Sequence, residues 1–403
     1  MRCLLAAAAA ALGLLACGGS PEPAPMSAAG PDAADAAPTP ISVRFATWNT
    51  SLFDPVAGGL IARLERGDEA AKAIAAALQH QRPDVVLLNE FDYDPEQRAA
   101  ELFQRRYLEV PQAGQAPIHY EYRYHAPVNT GEPSGLDLNN DGRSDSPDDA
   151  WGYGTHPGQY GMLVLSRYPI DALAVRSFRH FLWKNLPDAR MPMNPDGRPY
   201  FSRDVWEKLR LSSKSHWDVP IRTALGTVHF LVSHPTPPVF DGPERRNRAR
   251  NADEIMLWQH YLSDADADWL CDDRGVCGGL AAGERFVLAG DLNADPDDGD
   301  GYHEAIGALL DAPRVQADFV PRSDGAAQAA ASYGLERRGD VRTHTGDFGP
   351  RTGTLRIDYL LPSIGFSIRA GGVFWPLDSA PEAQWMRVTD HHMVWLDLAD
   401  PVP

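Results

Sequence analysis

Polar and apolar residues alternate from position 41: Ile41, Val43 and Phe45 stand against Ser42, Arg44 and Ala46. A period of two predicts a half-buried strand over 41–48. It stops at Asn49. Short unbroken apolar runs follow at 85–88, 161–166 and 286–289, with the lengths and flanks of buried core strands. Residues 221–224 and 227–232 predict a hairpin turning at Gly226. Helical spacing appears over 69–81, where Pro83 provides the stop, and again over 95–106, 244–261 and 303–310. A polar Ala/Gly loop, the run LRIDYLL over 355–361 and a last strand over 393–398 complete the pattern. No repeat and no second linker interrupts it, so one domain is expected over 41–400.

Several strands stop in the same way. RFVLAGDLNADP, 285–296, ends an apolar run at Gly290 and delivers Asp291 and Asn293 to a tight turn. Asn49, Asn89-Glu90 and Ser233-His234 likewise end apolar runs, whereas Asp390-His391 opens the last strand. In antiparallel pairs one strand's start lies beside its neighbour's end. All these groups can therefore share one rim of a mixed sheet pair, with Asp358, inside the 355–361 strand, backing a rim histidine.

The 403 residues are 43% hydrophobic and 23% charged, enough for a large core. The net charge of −18 disfavours nonspecific binding to polyanions and suits a protein that holds divalent cations. Arg2 followed by an Ala/Leu run over 4–15 reads as an export signal, too short to span a bilayer. It ends in LLAC, which resembles the bacterial lipoprotein box. Residues 1–16 are thus expected to be removed, Cys17 to be lipidated, and 17–40 to form a disordered Pro/Ala-rich tether. The alternative is an ordinary secretory signal with an incidental cysteine. An exported lipoprotein facing the periplasm or cell surface follows, expected to be monomeric. Cys271 and Cys277 then read as a small loop-closing disulfide.

Three segments carry further chemistry. Residues 137–148 match a calcium-loop pattern: side chains of Asp137, Asn139, Asp141, Asp145 and Asp148, the carbonyl of Arg143, and Gly142 at the sharp turn. Asp rather than Glu at the last position resembles dockerin-type loops; the bland alternative is an acidic surface turn. Residues 176–217 form a basic, Trp-rich insertion suited to stacking nucleobases, touching lipid or anchoring a core. Arg245, Arg246, Arg248 and Arg250 begin the 244–261 helix, either as a phosphate or head-group site or as a solvated helix face.

TWN, LLNE, SHPTPP, GDLN, RIDYLL and TDHH occur in that order, and the set resembles the endonuclease/exonuclease/phosphatase superfamily from about Ser42 to Asp397. The resemblance implies a deoxyribonuclease-I-like α/β (α+β) four-layer sandwich, with two packed mixed β-sheets flanked by helices. It implies Mg²⁺ (or Mn²⁺) on Glu90 with Asn49 and Asp390 nearby, whereas the expectation of a structural Ca²⁺ comes from the 137–148 loop alone. It further implies that Asp291 orients or deprotonates the attacking water and that Asn293 holds phosphoryl oxygens. His234 and His391 would flank the scissile phosphate, with Asp358 orienting His391 and Glu121 a weaker candidate behind His234. Tyr160 sits one residue late for a tyrosine found in some superfamily nucleases. His392, turned to the opposite face by strand alternation, reads as packing. The implied activity is hydrolysis of a phosphodiester or phosphomonoester, on nucleic acid, a lipid head group or a small organophosphate. A calcium-stabilised binding lipoprotein without catalysis is the reading from another class.

Overall fold

The computed structural model describes residues 41–401; the expected signal peptide, Cys17 and the 17–40 tether lie outside the described residues. The strands, in chain order, are β1 (Ser42–Leu52), β2 (Val85–Phe91), β3 (Tyr122–His125), β4 (Met162–Ser166), β5 (Arg176–Ser177), β6 (His216–Thr223), β7 (Gly226–Ser233), β8 (Phe286–Asp291), β9 (Gly346–Asp347), β10 (Thr354–Leu355), β11 (Asp358–Pro362), β12 (Ser367–Phe374) and β13 (Met393–Ala399). A six-stranded sheet has the order β12-β13-β1-β2-β4-β3, and a five-stranded sheet the order β11-β8-β7-β6-β5. Both are mixed: β1 runs parallel to β2 and β7 to β8, and the other pairs are antiparallel.

Strand parity sorts the core into layers. Val43 and Phe45 of β1 and Val85 and Leu87 of β2 face Val219, Phe230, Val232 and Val287 of the other sheet. Phe45 and Phe230 meet across that interface at 5.7 Å. The alternate residues, Ala46, Trp48, Val86 and Leu88, face outward onto helices α1 (Gly59–Arg66), α2 (Glu69–Gln81) and α3 (Arg98–Phe103). Beyond a four-residue α4 (Arg203–Trp206), helices α5 (Arg246–Ser263) and α6 (His303–Leu310) cover the five-stranded sheet through Ile255, Trp258, Ile306 and Leu309. The result is helix, sheet, sheet, helix. α2 begins where Asp68 accepts the N–H of Ala71, a cap that contributes about 1 kcal/mol.

Four elements depart from expectation. The polar loop after α6 contains α7 (Asp324–Tyr333), started by Ser323 and ended by Gly334 in the left-handed region. A last short helix, α8 (Gly349–Thr352), joins β9 to β10. β12 was masked in sequence by Gly371 and Gly372; a Cβ on Gly371 would lie 2.4 Å from Leu396, so the strand pair needs glycine there. LRIDYLL is two strands, because β10 pairs with β9 while β11 pairs with β8. Asp358 therefore begins a strand instead of lying inside one.

His392 stacks on Trp375 with ring centroids 3.5 Å apart, and His125 is also buried. Burial pushes both rings down to about 3 from the ordinary 6.5. Between those values the unfolded chain takes up protons that the folded chain refuses, so stability falls as pH drops below 6.5. Melting temperature should fall steadily on acidification. His392→Phe, which keeps the stack, should remove about 1.4 kcal/mol per pH unit of that loss; an unchanged slope would contradict the assignment.

Candidate functional site

The topology gathers the chemistry at one rim. β1 and β2 are parallel and in register, so Asn49 lies beside Asn89 and one residue from Glu90. β7 and β8 are parallel in the other sheet, which brings His234 level with Asp291. β11 runs against β8 and sets Asp358 directly opposite Asp291. Gly290 permits the close approach of β7 and β8, since a Cβ there would lie 2.1 Å from the carbonyl oxygen of Ser233.

Asp291 is the hub. Its Oδ2 accepts from Asn49 Nδ2 at 3.0 Å and lies 3.4 Å from His234 Nε2 and 3.6 Å from His391 Nε2. Its Oδ1 accepts the backbone N–H of Asn293. On the far side of His391, Nδ1 donates to Asp358 Oδ2 at 2.9 Å, and Thr345 donates to the same oxygen. Asp291, Asp358 and His391 are the group of three possible metal ligands that converges among the described residues. Their closeness has another cause: an imidazole bridges two carboxylates and already spends Nδ1 on one of them. Asp390 stands exposed at the edge, 3.7 Å from His391 Nε2.

Charge divides the two histidines. Asp358 and Asp291 hold His391 well above the ordinary imidazole range despite its burial. Burial, reinforced by Lys214 and His391, holds His234 well below it. One ring is thus a cation at neutral pH and the other is neutral. Burial also pushes Asp291 up to about 7 and raises Glu90. Such a site has more negative charge than its own cations neutralise, which is the donor chemistry that fits a divalent metal. Glu90 and Asn293 hold left-handed backbone, at φ 56° and 51°. Strain of this kind costs roughly 1–3 kcal/mol and clusters at functional sites.

α5 holds the surrounding loops: Arg245 at its start is exposed, and the arginines that follow reach protein groups. Arg250 is half-buried and donates to the carbonyl oxygens of Trp151, Arg210, Leu211 and Ser212. One turn on, Glu254 is fully buried and accepts the backbone N–H groups of Ser213 and Thr236, each at 2.6 Å. Asn251 donates to the carbonyls of Thr236 and Leu292. Arg246 pairs with Glu244 and Arg248 with Asp300.

Lys214 is the residue that the linear pattern missed. It is buried beside Ser213 and lines the same cavity as Glu90, with burial lowering its ammonium and Glu254, Glu90 and Asp291 opposing that shift. Tyr160, also on that cavity, is pushed up to about 12 by burial and by Glu90.

Other expected groups lie elsewhere. Glu121 precedes β3, whose Tyr122 pairs with Ser166 at the end of β4 remote from Asn89. It cannot back His234, whose Nδ1 finds no hydrogen-bond partner. The 137–148 residues do not converge on one point. Asp137 accepts the N–H groups of Asp141 and Gly142, Asn139 Oδ1 accepts that of Asp141, and Asp141 accepts that of Arg143. Asp145 pairs with the Arg143 side chain. Asp148 lines the large cavity, and its neighbour Asp149 turns inward to accept from Leu138 and Ser146. Cys271 and Cys277 are joined in a disulfide far from the rim, beside Arg176 of β5.

Residues 46–391 match the model of the Endonuclease/Exonuclease/phosphatase family. The chain belongs to that family. Its fold is the family's four-layer sandwich, and its members are phosphoester hydrolases that work with divalent metals. An endonuclease/exonuclease/phosphatase from Beutenbergia cavernae is similar at 19% identity and a TM-score of 0.50, over 89% of this chain and 72% of that one. Sphingomyelinase C from Streptomyces griseocarneus has 18% identity and a TM-score of 0.45, over 89% and 99%. Beta toxin from Staphylococcus aureus, solved with bound magnesium ions, has 13% identity and a TM-score of 0.45, over 90% and 100%. These identities speak to fold alone. No curated protein matches the sequence.

Asp358→Asn should bring the His391 pKa down towards the ordinary value, because the charge that holds it up is gone. Histidine-ring NMR titration of the metal-free protein reads this directly; an unmoved His391 would contradict the pairing.

Proposed function

We propose that this chain is an exported, lipid-anchored phosphoesterase that cleaves a phosphodiester or phosphomonoester by attack of water. The observation that carries the reading is the His234–Asp291–His391–Asp358 chain, in which one carboxylate faces two imidazoles and a second carboxylate backs one of them. Pairs of titratable groups driven apart by their surroundings mark acid and base roles.

Asp291, with a carboxyl near 7, is suited to hold and deprotonate water at neutral pH. His391, kept as a cation by Asp358, stabilises negative charge on the phosphoryl oxygens or protonates the leaving oxygen. His234, neutral, offers a hydrogen bond from the other side. Asn293 turns its side chain to the same turn, anchored by Nδ2 to the carbonyl of Pro235. Glu90, Asn49 and Asp390 are the residues that would hold Mg²⁺ or Mn²⁺. Such an ion, when bound, supplies Lewis acidity at a phosphoryl oxygen. A structural calcium at 137–148 forms no part of this reading.

The alternative substrate is extracellular nucleic acid, against which the net charge of −18 weighs. Export rests on the Arg2 and LLAC pattern and on the Cys271–Cys277 disulfide.

Purified protein should hydrolyse bis-nitrophenyl phosphate or nitrophenyl phosphate with Mg²⁺ and lose the activity in EDTA. Asp291→Ala should lower kcat by about 10²–10⁴. Turnover that survives either treatment would sink the assignment. In cells, Cys17→Ser should move the protein out of the membrane fraction, and its retention there would remove the anchor.

A further inference from the structure

A cavity of about 610 Å³ opens beside Glu90. That volume belongs to pockets for single small molecules rather than to grooves for polymers. Its inner end is charged and polar, with Glu90, Lys214 and Thr236. Its outer wall is apolar: Leu138, Trp183, Phe201 and Leu209, all buried and all drawn from the two segments inserted between β3 and β6. Phosphoryl chemistry needs charge and has no use for such a wall. At the rim stand two exposed aromatic side chains, Phe240 at 86% and Tyr153 at 56%.

The cations around the outer wall are already engaged. Arg250 is bound to four backbone carbonyls and Arg246 to Glu244, and Asp148 adds a carboxylate to the lining. Asp148 would repel a second phosphate there, and the Arg250 guanidinium is committed to carbonyl oxygens. One anionic end and one apolar end are what the cavity complements.

We propose that this cavity is the specificity pocket of the enzyme, and that it takes the compact apolar half of a small phosphoester whose phosphoryl group lies against Lys214 and the imidazoles. The assignment rests on the phosphoesterase reading above for the identity of the anionic end. It makes the two inserted segments the determinants of substrate choice, with Trp183, Phe201, Leu209 and Phe240 as contact residues. Asp253 positions Trp183 by accepting its indole N–H at 2.6 Å.

Binding of non-hydrolysable phosphonates to the full Mg²⁺-loaded protein, followed by calorimetry, tests this without turnover. Naphthylphosphonate should bind at least about tenfold tighter than methylphosphonate, because burying even a few ring carbons provides that difference. Octylphosphonate in the same series separates an acyl-chain source of the apolar group from a ring source. Leu209→Trp, which fills the wall, and Phe240→Ser, at an exposed position that leaves folding intact, should each reduce the preference. Equal affinities for the methyl and naphthyl compounds overturn the pocket, as does a preference that survives both substitutions. Displacement of naphthylphosphonate by a single-stranded oligonucleotide at lower concentration overturns it too. Methyl and naphthyl nitrophenyl phosphates, assayed in parallel, keep the two readings apart. Selective phosphonate binding without turnover of either ester upholds the pocket and contradicts the phosphoesterase assignment. Equal turnover with equal binding contradicts the pocket alone.

Discussion

Asp291 accepts a side-chain hydrogen bond from Asn49 and gives its own backbone N–H to Asn89 Oδ1 at 3.2 Å. Through those two bonds the end of the five-stranded sheet is registered on the end of the six-stranded one. Everything at the rim depends on that register. Glu90 follows Asn89 on one sheet, and His234 and Asp358 flank Asp291 on the other. Removing one partner of a buried hydrogen bond costs roughly 1–3 kcal/mol, so loss of Asn49 would disturb packing as well as chemistry.

A second constraint follows from burial. Carboxylates at 291 and 358 and imidazoles at 234 and 391 are held away from water, where a bare charge is costly. The rim resolves this by pairing His391 with two carboxylates and leaving His234 uncharged. The pairing is incomplete, because Glu90 and Asp291 are both still raised by burial. The polar face of α5 works at longer range. Glu254 and Asn251 tie the loops after β7, after β8 and before β6 to one helix, so that Lys214, His234 and Asn293 are set by a single rigid element.

Much of this was legible in the linear pattern. Period-two and short apolar runs located β1, β2, β4, β7, β8 and β13, and the polar stops of β1, β2, β7 and β8 coincide with the rim. The strand β12 was not legible, since Gly371 and Gly372 carry no side-chain pattern to read. Lys214 was hidden for a different reason: it lies in a basic insertion where one lysine among several has no periodic signature. Arg250 misled because an arginine on a helix ordinarily points to solvent, whereas here a loop folds over it and supplies four carbonyls. The 137–148 spacing is shared by Asx-type turns, which use the same oxygens at the same intervals to accept backbone N–H groups. Local spacing identifies the donors; the tertiary fold decides what they bind.

The central claim is that the negative charge gathered at this rim is completed by a divalent cation through Glu90. Calorimetric titration of the metal-free protein with Mg²⁺ tests it most directly, alongside Glu90→Gln. Saturable binding in the wild type that is lost in the variant, with both proteins folded, is the expected result. Undetectable binding, or identical binding in the two proteins, would contradict it.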